Sequence, residues 1–322
     1  MKGKKQFIKK KIIRKIHNIR RKNREAKKDK IKLFLIKTSF LLLLFAFLIL
    51  IKKKKFKKPK IIAITYGSPA YKRQTYANKK SALEIGKVDE HYIYGPDDID
   101  SEFKEKNKDI LNRPRGNGYW LWKSYFIYKT FREKLNEGDY LIYTDAGILF
   151  MNSTYQLIDF LKKQKKEMWF YRLDIKERRY TKRDAFVLMD ADTPFYSETY
   201  QYMAGIQVYK KSKYTEKFLE KLIYFSQDKR IITDDRNTQG LQNYPGFKDN
   251  RHDQTVLSLL IKKFGEANSG NPSETPDEIN NRHIIAPTIF CIYRRAYFQD
   301  FEDLWKKCIH ITQVDNPKIF AL

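Results

Sequence analysis

The fold of this 322-residue chain is indicated most directly by the stretch Gly138-Asp139-Tyr140-Leu141-Ile142-Tyr143-Thr144-Asp145-Ala146-Gly147. Its middle is a short apolar and aromatic run, bounded by Gly-Asp before it and by Asp-Ala-Gly after it, which is typical of a buried strand between turns. In open α/β sheets, ligands bind at the carboxyl ends of the strands. The polar residues that follow this strand are therefore candidates for a binding site.

Asp145 and Gly147 follow the strand and are suited to a metal-assisted phosphate site. A carboxylate in this position can hold a hard divalent cation such as Mg²⁺ or Mn²⁺, which neutralises a diphosphate. Gly147 has no side chain to keep phosphates away from the backbone. By itself Asp-Ala-Gly more often marks only a turn, so the metal prediction depends on its place after a strand.

Strand patterns and helix patterns alternate from Lys60 onwards. Strands are predicted at 61–65, 91–94, 139–143, 168–171 and 203–209, and helices at 71–85, 119–135, 157–163, 181–189, 214–225 and 253–264. Strands separated by helices imply an α/β fold with a mainly parallel sheet that helices cover on both faces. Because no linker-like composition interrupts residues 61–322, we predict one domain there.

The formal net charge of +28 is distributed unevenly along the chain. Residues 1–60 contain 24 Lys or Arg against Glu25 and Asp29, a net charge of +22, whereas residues 61–322 contain 42 basic and 36 acidic side chains, a net charge of +6. The basic character thus belongs to the N-terminus, and the domain itself does not have the charge of a nucleic-acid-binding protein.

The segment 31–51 is predicted to be a transmembrane signal anchor, between a basic tail at 1–30 and a basic stem at 52–60. Residues 40–51 are an unbroken run of Leu, Phe, Ile and Ala, and a helix of about 20 residues spans a hydrocarbon core. Lys32 and Lys37 lie near its start, where long side chains reach the interface. A cleaved signal peptide would need small residues after the run, and flanking lysines disfavour a buried helix.

The charge bias predicts the orientation of this anchor. Ten basic residues at 14–32, against seven at 52–60, favour an N-terminus in the cytoplasm. The domain is then expected to be lumenal or external, in a Golgi- or ER-like compartment if the source is eukaryotic or viral. For the tail, membrane topology and lipid contact are simpler interpretations than nucleic-acid binding. In that compartment Cys291 and Cys308 either form a disulfide or are free thiols.

Two further motifs place charged and aromatic residues at helix starts. In residues 113–123 a glycine-bearing loop opens an aromatic helix, and Arg115 and Lys123 are suited to phosphate charge. The tryptophans of this motif either stack on a base or sugar ring or belong to the core. In residues 251–256 the sequence Arg-His-Asp-Gln precedes an apolar helix, and Asp253 there is either a reactive group or the helix N-cap.

Together these motifs resemble those of a known group. Arg-Gly-x-Gly-Tyr-Trp-x-Trp-Lys, Gly-Asp-Tyr-Leu-Ile-Tyr-x-Asp-Ala-Gly, Thr-Lys-Arg-Asp and Arg-His-Asp-Gln occur in this order in bacterial and large-virus proteins assigned to GT-A glycosyltransferases. The resemblance covers residues 61–264 and implies a GT-A-like (Rossmann-like) domain. It also implies transfer of a sugar from a nucleotide-sugar donor, with a UDP-sugar favoured, to a glycan, protein or lipid acceptor, with Mn²⁺ or Mg²⁺ as cofactor.

The resemblance also suggests roles for individual residues. Asp145 and the late His310 would hold the metal, and the metal would stabilise the departing nucleotide diphosphate. Asp253 would orient or deprotonate the acceptor hydroxyl. The remaining candidates border or bind the nucleotide diphosphate, and they are Thr65, Tyr66, Arg115, Lys123 and Gly147.

The sequence departs from the usual Asp-x-Asp motif of this fold, because Gly147 stands at the second acidic position. The segment Asp190-Ala191-Asp192 has the full spacing, but it follows a predicted helix instead of a strand. Asp145 is therefore the preferred metal ligand. The missing carboxylate also leaves an alternative function, in which a non-catalytic relative binds a glycan or a nucleotide sugar.

Overall fold

The computed structural model describes residues 2–53, 58–266 and 290–292. The chain divides into two compact units, Met1–Lys58 and Pro59–Leu322. In the first unit a single helix, α1, spans Lys2–Lys53 and contains both the basic tail and the apolar run. Among the described residues, no helix is both long and apolar enough to cross a membrane. The anchor predicted at 31–51 has no support from these residues and stays a prediction.

The second unit alternates strands and helices. Its strands are β1 (Ile61–Tyr66), β2 (Glu90–Tyr94), β3 (Tyr140–Thr144), β4 (Ile148–Phe150), β5 (Met168–Lys176), β6 (Tyr200–Lys210) and β7 (Phe290–Ile292). Its helices are α2 (Lys72–Glu84), α3 (Ser101–Lys106), α4 (Lys108–Leu111), α5 (Gly116–Tyr119), α6 (Leu121–Glu133), α7 (Tyr155–Gln164), α8 (Arg183–Leu188), α9 (Pro194–Ser197), α10 (Lys213–Ser226), α11 (Lys229–Ile232) and α12 (Asp253–Lys263).

The main sheet has the strand order β2-β1-β3-β6-β5. β1 pairs in parallel with both β2 and β3, whereas β6 is antiparallel to β3 and to β5. Only β6 therefore runs against the other strands of this sheet, so the sheet is mixed and mainly parallel, as predicted. A second, two-stranded sheet pairs β4 with β7.

The two faces of β1 explain why its first four residues, 61–64, are all apolar. Ile62 and Ile64 pack into a core with α6, α10 and α12, whereas Ile61 and Ala63 pack into a second core with α2 and α7. Successive side chains of a strand point to opposite faces, so a strand covered by helices on both sides is apolar at most positions, and the buried Thr65 hydroxyl of β1 is hydrogen-bonded to the Thr144 carbonyl. The result is an α/β fold of helices on a central sheet, in agreement with the GT-A-like prediction for its architecture.

Candidate functional site

Two adjoining cavities lie where β1 and β3 end. Cavity A, of about 490 Å³, is lined by residues 66–68 after β1, by the first turn of α2 and by residues 145–147 after β3. Cavity B, of about 590 Å³, is lined by parts of α6, the middle of β6 and residues 249–254. The two cavities share Tyr71, Trp120, Asp145 and Gly147. Ligands of open α/β sheets bind at this edge, so the pair of cavities is the candidate site.

Asp145 stands at the junction of the two cavities, directly after β3. Its Oδ1 accepts a hydrogen bond of 2.6 Å from the Tyr143 hydroxyl, and its backbone N–H donates to the Gly205 carbonyl at 2.9 Å. A Cβ at Gly205 would stand 3.0 Å from Asp145 Oδ2. The side chain is 49% exposed, so the sheet holds the carboxylate in place while one side of it faces solvent.

Lys123 connects Asp145 with Asp253. Its Nζ lies 3.2 Å from Asp145 Oδ1 and 2.6 Å from Asp253 Oδ2, and the lysine side chain is only 5% exposed. Burial lowers the pKa of Lys123, but the two carboxylates together outweigh burial and hold the pKa above its ordinary value. The ammonium is therefore a fixed positive charge beneath the site.

Asp253 is the first residue of α12, and its side chain is 12% exposed. Burial raises the pKa of Asp253, and the Lys123 ammonium offsets this only in part, so the pKa lies above its ordinary value. The contact with Lys123 is an ion pair, since Oδ2 accepts no well-angled hydrogen bond from the described residues. His252 holds the N-cap position, without a side-chain cap bond, so the N-cap interpretation of Asp253 is wrong.

The segment before α6, which includes α5 (Gly116–Tyr119), is a left-handed turn. Gly116, Asn117, Gly118, Tyr119 and Trp120 all have φ between +50° and +91°. The Tyr119 N–H bonds to the Arg115 carbonyl and the Trp120 N–H to the Gly116 carbonyl, which is the helical pattern with reversed hand. L-residues other than glycine lose about 1–2 kcal/mol each in this conformation. Such strain is typical of functional sites, and here it borders both cavities.

This turn and the start of α6 contact residues 249–253, which also line cavity B. The contacts are Arg115 to Asp249 at 2.7 Å, Trp120 stacked on His252 with ring centroids 5.3 Å apart, and Lys123 to Asp253 at 2.6 Å. The two motifs that the sequence singled out separately thus form one wall of the site.

The two tryptophans of the motif have different surroundings. Trp122 is buried, and its ring stacks on Tyr66 with centroids 3.7 Å apart. Its indole N–H donates to the Gly116 carbonyl at 2.9 Å. Trp120 is only partly buried and lines both cavities. Trp122 therefore belongs to the core and borders cavity A only, whereas Trp120 borders both cavities.

The other predicted site residues are placed as follows. Tyr66 lines cavity A and Gly147 lines both cavities. Thr65 lies beneath them, where its buried hydroxyl donates to the Thr144 carbonyl at 2.7 Å. Arg115 lines cavity B, but it is paired with Asp249 and also, at 2.8 Å, with Asp234. His310 lies outside the described residues, and so does Cys308.

Asp190 and Asp192, the alternative acidic motif, do not line either cavity. Asp192 pairs with Arg183 at 2.9 Å and accepts a hydrogen bond of 2.7 Å from the Tyr244 hydroxyl. Its carboxylate therefore has a structural role, which favours Asp145 as the carboxylate of the site.

A divalent cation at Asp145 fits the residues present only in part. Among the described residues, no three acidic, histidine or cysteine side chains are grouped as metal ligands. Of the Asp145 oxygens, Oδ1 is engaged by Tyr143 and Lys123, and Oδ2 accepts no hydrogen bond from the described part of the chain. Mg²⁺ is often held by one or two carboxylates together with substrate phosphates and water. Oδ2 is such a ligand, whereas the second ligand predicted from the sequence, His310, lies outside the described residues and stays a prediction.

The structure brings to the site three residues that the sequence motifs did not indicate. Tyr143 and Gly205 position Asp145 from β3 and β6, and Gln74 lines cavity A from the first turn of α2. Gln74 lies in the helix after the first strand, and ligands of α/β sheets bind at the carboxyl ends of strands. Its position in the sequence could therefore have indicated a site residue. The contact of Gly205 with Asp145 depends on an antiparallel pairing that no local pattern indicates.

Comparison with known proteins gave structural neighbours only. No family model matches the chain, and no curated protein matches it. The neighbours are GT-A-type glycosyltransferases of low identity. The bifunctional glycosyltransferase WbbM is 11% identical with a TM-score of 0.46, over 82% of this chain and 52% of its own. The galactosyltransferase LgtC, solved with donor and acceptor sugar analogs, is 12% identical with a TM-score of 0.38, over 79% of this chain and 95% of its own.

The glycosyltransferase GlyE of Streptococcus pneumoniae is another structural neighbour. It is 18% identical with a TM-score of 0.31, over 63% of this chain and 43% of its own. The chain thus spans about half the length of GlyE and of WbbM. Similarity at this level concerns the fold, so any conclusion about activity has to rest on the residues of the two cavities.

Proposed function

We propose that the chain is a glycosyltransferase that moves a sugar from a nucleotide-sugar donor to a hydroxyl of a glycan, protein or lipid acceptor. One observation carries this proposal. Asp145 and Asp253 lie on either side of the buried Lys123 ammonium, at a junction between two cavities. Two adjoining cavities with charged groups at their junction suit a group-transfer enzyme, because donor and acceptor are held separately and must meet at one point.

Cavity A is the proposed donor side. Aromatic rings line it, and Gly147 and Asp145 lie where β3 ends, so a nucleoside can stack there with its diphosphate near residues 145–147. Asp145 Oδ2, with His310, would hold a Mn²⁺ or Mg²⁺ ion, which when bound offsets negative charge on the leaving diphosphate. Lys123 contributes its charge through Asp145, because its ammonium is buried against the two carboxylates.

Cavity B is the proposed acceptor side, and Asp253 is the proposed base. As the acceptor oxygen forms its bond to the sugar carbon, the bond from that carbon to the diphosphate oxygen breaks, and the hydroxyl proton passes to the Asp253 carboxylate. Burial raises the pKa of Asp253, which makes it a stronger base than an exposed aspartate. The Lys123 ammonium keeps this carboxylate ionised before the transfer.

Membrane attachment is part of the proposal on the basis of the sequence alone. The run at 40–51 and the charge bias around it support an anchor at 31–51, with the N-terminus in the cytoplasm and the catalytic domain lumenal or external. The alternative function is a non-catalytic protein that binds a glycan or a nucleotide sugar. The absence of a second acidic residue at Gly147 favours that alternative.

The test is nucleotide release by the full-length chain from a panel of UDP- and GDP-sugars, with Mn²⁺ and with EDTA. We expect metal-dependent turnover of one donor. Asp145→Asn should abolish it, and Asp253→Asn should lower acceptor-dependent transfer by about 10²–10⁴-fold while donor binding is kept. Asp159→Asn is the matched control, because Asp159 is 62% exposed and outside both cavities.

The possible outcomes separate the two functions. Donor binding without turnover, in a folded chain, would favour the binding protein. A folded chain that neither binds nor turns over any donor would refute both the enzyme and the binding of a nucleotide sugar, and only glycan binding would then be left of the alternative. Full transfer activity in Asp253→Asn would exclude Asp253 as the base but leave the enzyme class standing.

A further inference from the structure

Arg251 carries a positive charge at cavity B that no described residue balances. It lines this cavity and stands two residues before Asp253. The three carboxylates of the same lining are all paired with Arg115 or Lys123. The Arg251 side chain forms no ion pair or hydrogen bond with the described residues, and none of its nitrogens is buried without a partner. Its N–H donors are therefore open to solvent.

The guanidinium of Arg251 is held in place from one side. Its central carbon lies over the Tyr180 ring, 4.2 Å from the centroid, and the Arg251 backbone N–H donates to the Tyr180 carbonyl at 3.0 Å. The donors of a guanidinium point outwards in its own plane, so an aromatic ring under the face leaves them free. This planar fork matches two oxygens of a carboxylate or a phosphate. Arg251 is thus prepared to bind an oxyanion.

Two more basic residues stand on the backbone segments that contain Tyr180 and Arg251. The Lys248 N–H donates to the Arg179 carbonyl at 2.8 Å, so residues 179–180 lie beside residues 248–251. Arg179 and Lys248 are exposed, and neither forms an ion pair with the part of the chain that the structure describes. Grouped charges of one sign raise the local concentration of ligands of opposite charge. The surroundings of Arg251 therefore favour an anionic ligand over a neutral one.

We infer that the acceptor is an acidic glycan, whose carboxylate or phosphate binds Arg251 while its reacting hydroxyl meets Asp253. The two residues are two positions apart, so their Cα atoms are separated by at most about 7 Å. The anionic group and the hydroxyl then belong to the same sugar or to neighbouring sugars. This inference rests on the proposed function, to which it adds the class of acceptor.

The experiment measures nucleotide release by the full-length chain from the donor that it turns over, with matched acceptors. Glucose, galactose and mannose are each supplied as the neutral methyl glycoside, the uronic acid and the 6-phosphate. The wild-type chain should prefer an acidic acceptor to its neutral parent, and the preferred form identifies the anion as carboxylate or phosphate. Arg251→Gln should raise the KM for that acceptor about ten- to hundredfold with little change in kcat, because a charged hydrogen bond made in binding is lost.

The controls separate this binding role from folding and from general charge. Release without acceptor, and the KM for the neutral parent, should stay within about twofold of wild type in Arg251→Gln. Arg251→Lys keeps the charge without the planar fork, so its KM for the acidic acceptor should lie between those of wild type and Arg251→Gln. Arg236→Gln removes an exposed charge that lines neither cavity and should change nothing. The basic N-terminus is the same in every variant, so it cannot produce a difference between them.

Two results would overturn the inference. One is a wild-type chain that turns over a donor but prefers no acidic acceptor to its neutral parent. The other is an unchanged KM for the acidic acceptor in Arg251→Gln. A folded wild-type chain that releases nucleotide from no donor, with or without acceptor, would instead refute the proposed function.

Discussion

Lys123→Met tests the charge arrangement on which the proposed site depends. Methionine keeps most of the apolar stem but removes the ammonium, so Asp253, only 12% exposed, loses its ion-pair partner. Removal of one partner from a buried pair costs about 3–5 kcal/mol of the free energy of unfolding. Asp145 is 49% exposed and still accepts a hydrogen bond from Tyr143. Loss of its contact with Lys123 should therefore cost less than about 1 kcal/mol of the free energy of unfolding.

The two carboxylates can be separated by second substitutions. In Lys123→Met with Asp253→Asn, no buried charge is left unpaired, and we expect most of the lost stability to return. In Lys123→Met with Asp145→Asn, the buried Asp253 charge is still unpaired, so little of the lost stability should return. This difference between the two double variants follows from the burial of the two side chains.

The free energy of unfolding that Lys123→Met loses should also depend on pH. In the folded chain the pKa of Asp253 is raised by burial, and removal of Lys123 raises it further. A carboxyl group with a raised folded-state pKa binds its proton more tightly in the folded than in the unfolded state, where its pKa is about 3.9. The stability that protonated Asp253 contributes is therefore fully present below the unfolded-state pKa and is lost as pH rises through the folded-state pKa. Lys123→Met should be closest to wild type near pH 4 and furthest from it near pH 8.

The assay is urea unfolding of the full-length chain, followed by circular dichroism at both pH values. If Lys123→Met lost less than about 1 kcal/mol at pH 8, the buried pair would not have the energetic role we assign to it. Equal recovery by Asp145→Asn and Asp253→Asn would show that the burial of the two carboxylates has been misjudged.

Two further predictions concern the geometry around the site. Gly205→Ala should displace the Asp145 carboxylate by a few tenths of an ångström, because the added Cβ would stand 3.0 Å from Oδ2. Initial rates of nucleotide release should then fall about three- to tenfold. An unchanged rate would contradict the contact between Gly205 and Asp145. Asn117 is exposed with φ of +50°, and its side chain hydrogen-bonds Tyr66. Asn117→Val and Asn117→Gly both lose this contact, so the free energy of unfolding of Asn117→Val should lie about 1–2 kcal/mol below that of Asn117→Gly, because only valine is strained at positive φ. Equal melting temperatures for the two variants would argue against the left-handed turn.

Local pattern predicted most elements of the second unit. The predicted strand at 61–65 is β1 (Ile61–Tyr66), and the helix predicted at 214–225 is α10 (Lys213–Ser226). Both are strongly patterned segments in which neighbouring residues carry the signal. The helix predicted at 119–135 begins only at Leu121, because the residues before it form the left-handed turn. The strand predicted at 168–171 continues to Lys176, because pairing with β6 extends it beyond its apolar part.

The direction of β6 was decided by the tertiary structure. Its middle, residues 203–206, is apolar like the buried parallel strands, and an apolar run does not indicate in which direction a strand runs. Its antiparallel pairing with β3 brings Gly205 against Asp145. The short helices α3, α4, α9 and α11 were missed, since segments of four to six residues are too short to show a helical period.

The sequence alone determined that a carboxylate follows a buried strand at the ligand-binding edge of an α/β sheet, and that Asp253 opens a helix. Both are properties of neighbouring residues. Only the tertiary structure decided that Lys123 lies between Asp145 and Asp253, that Arg115 pairs with two aspartates, and that Trp122 is buried whereas Trp120 is only partly buried. The physical reason is that these contacts join residues far apart in the chain, and burial and charge pairing arise only when their elements pack together.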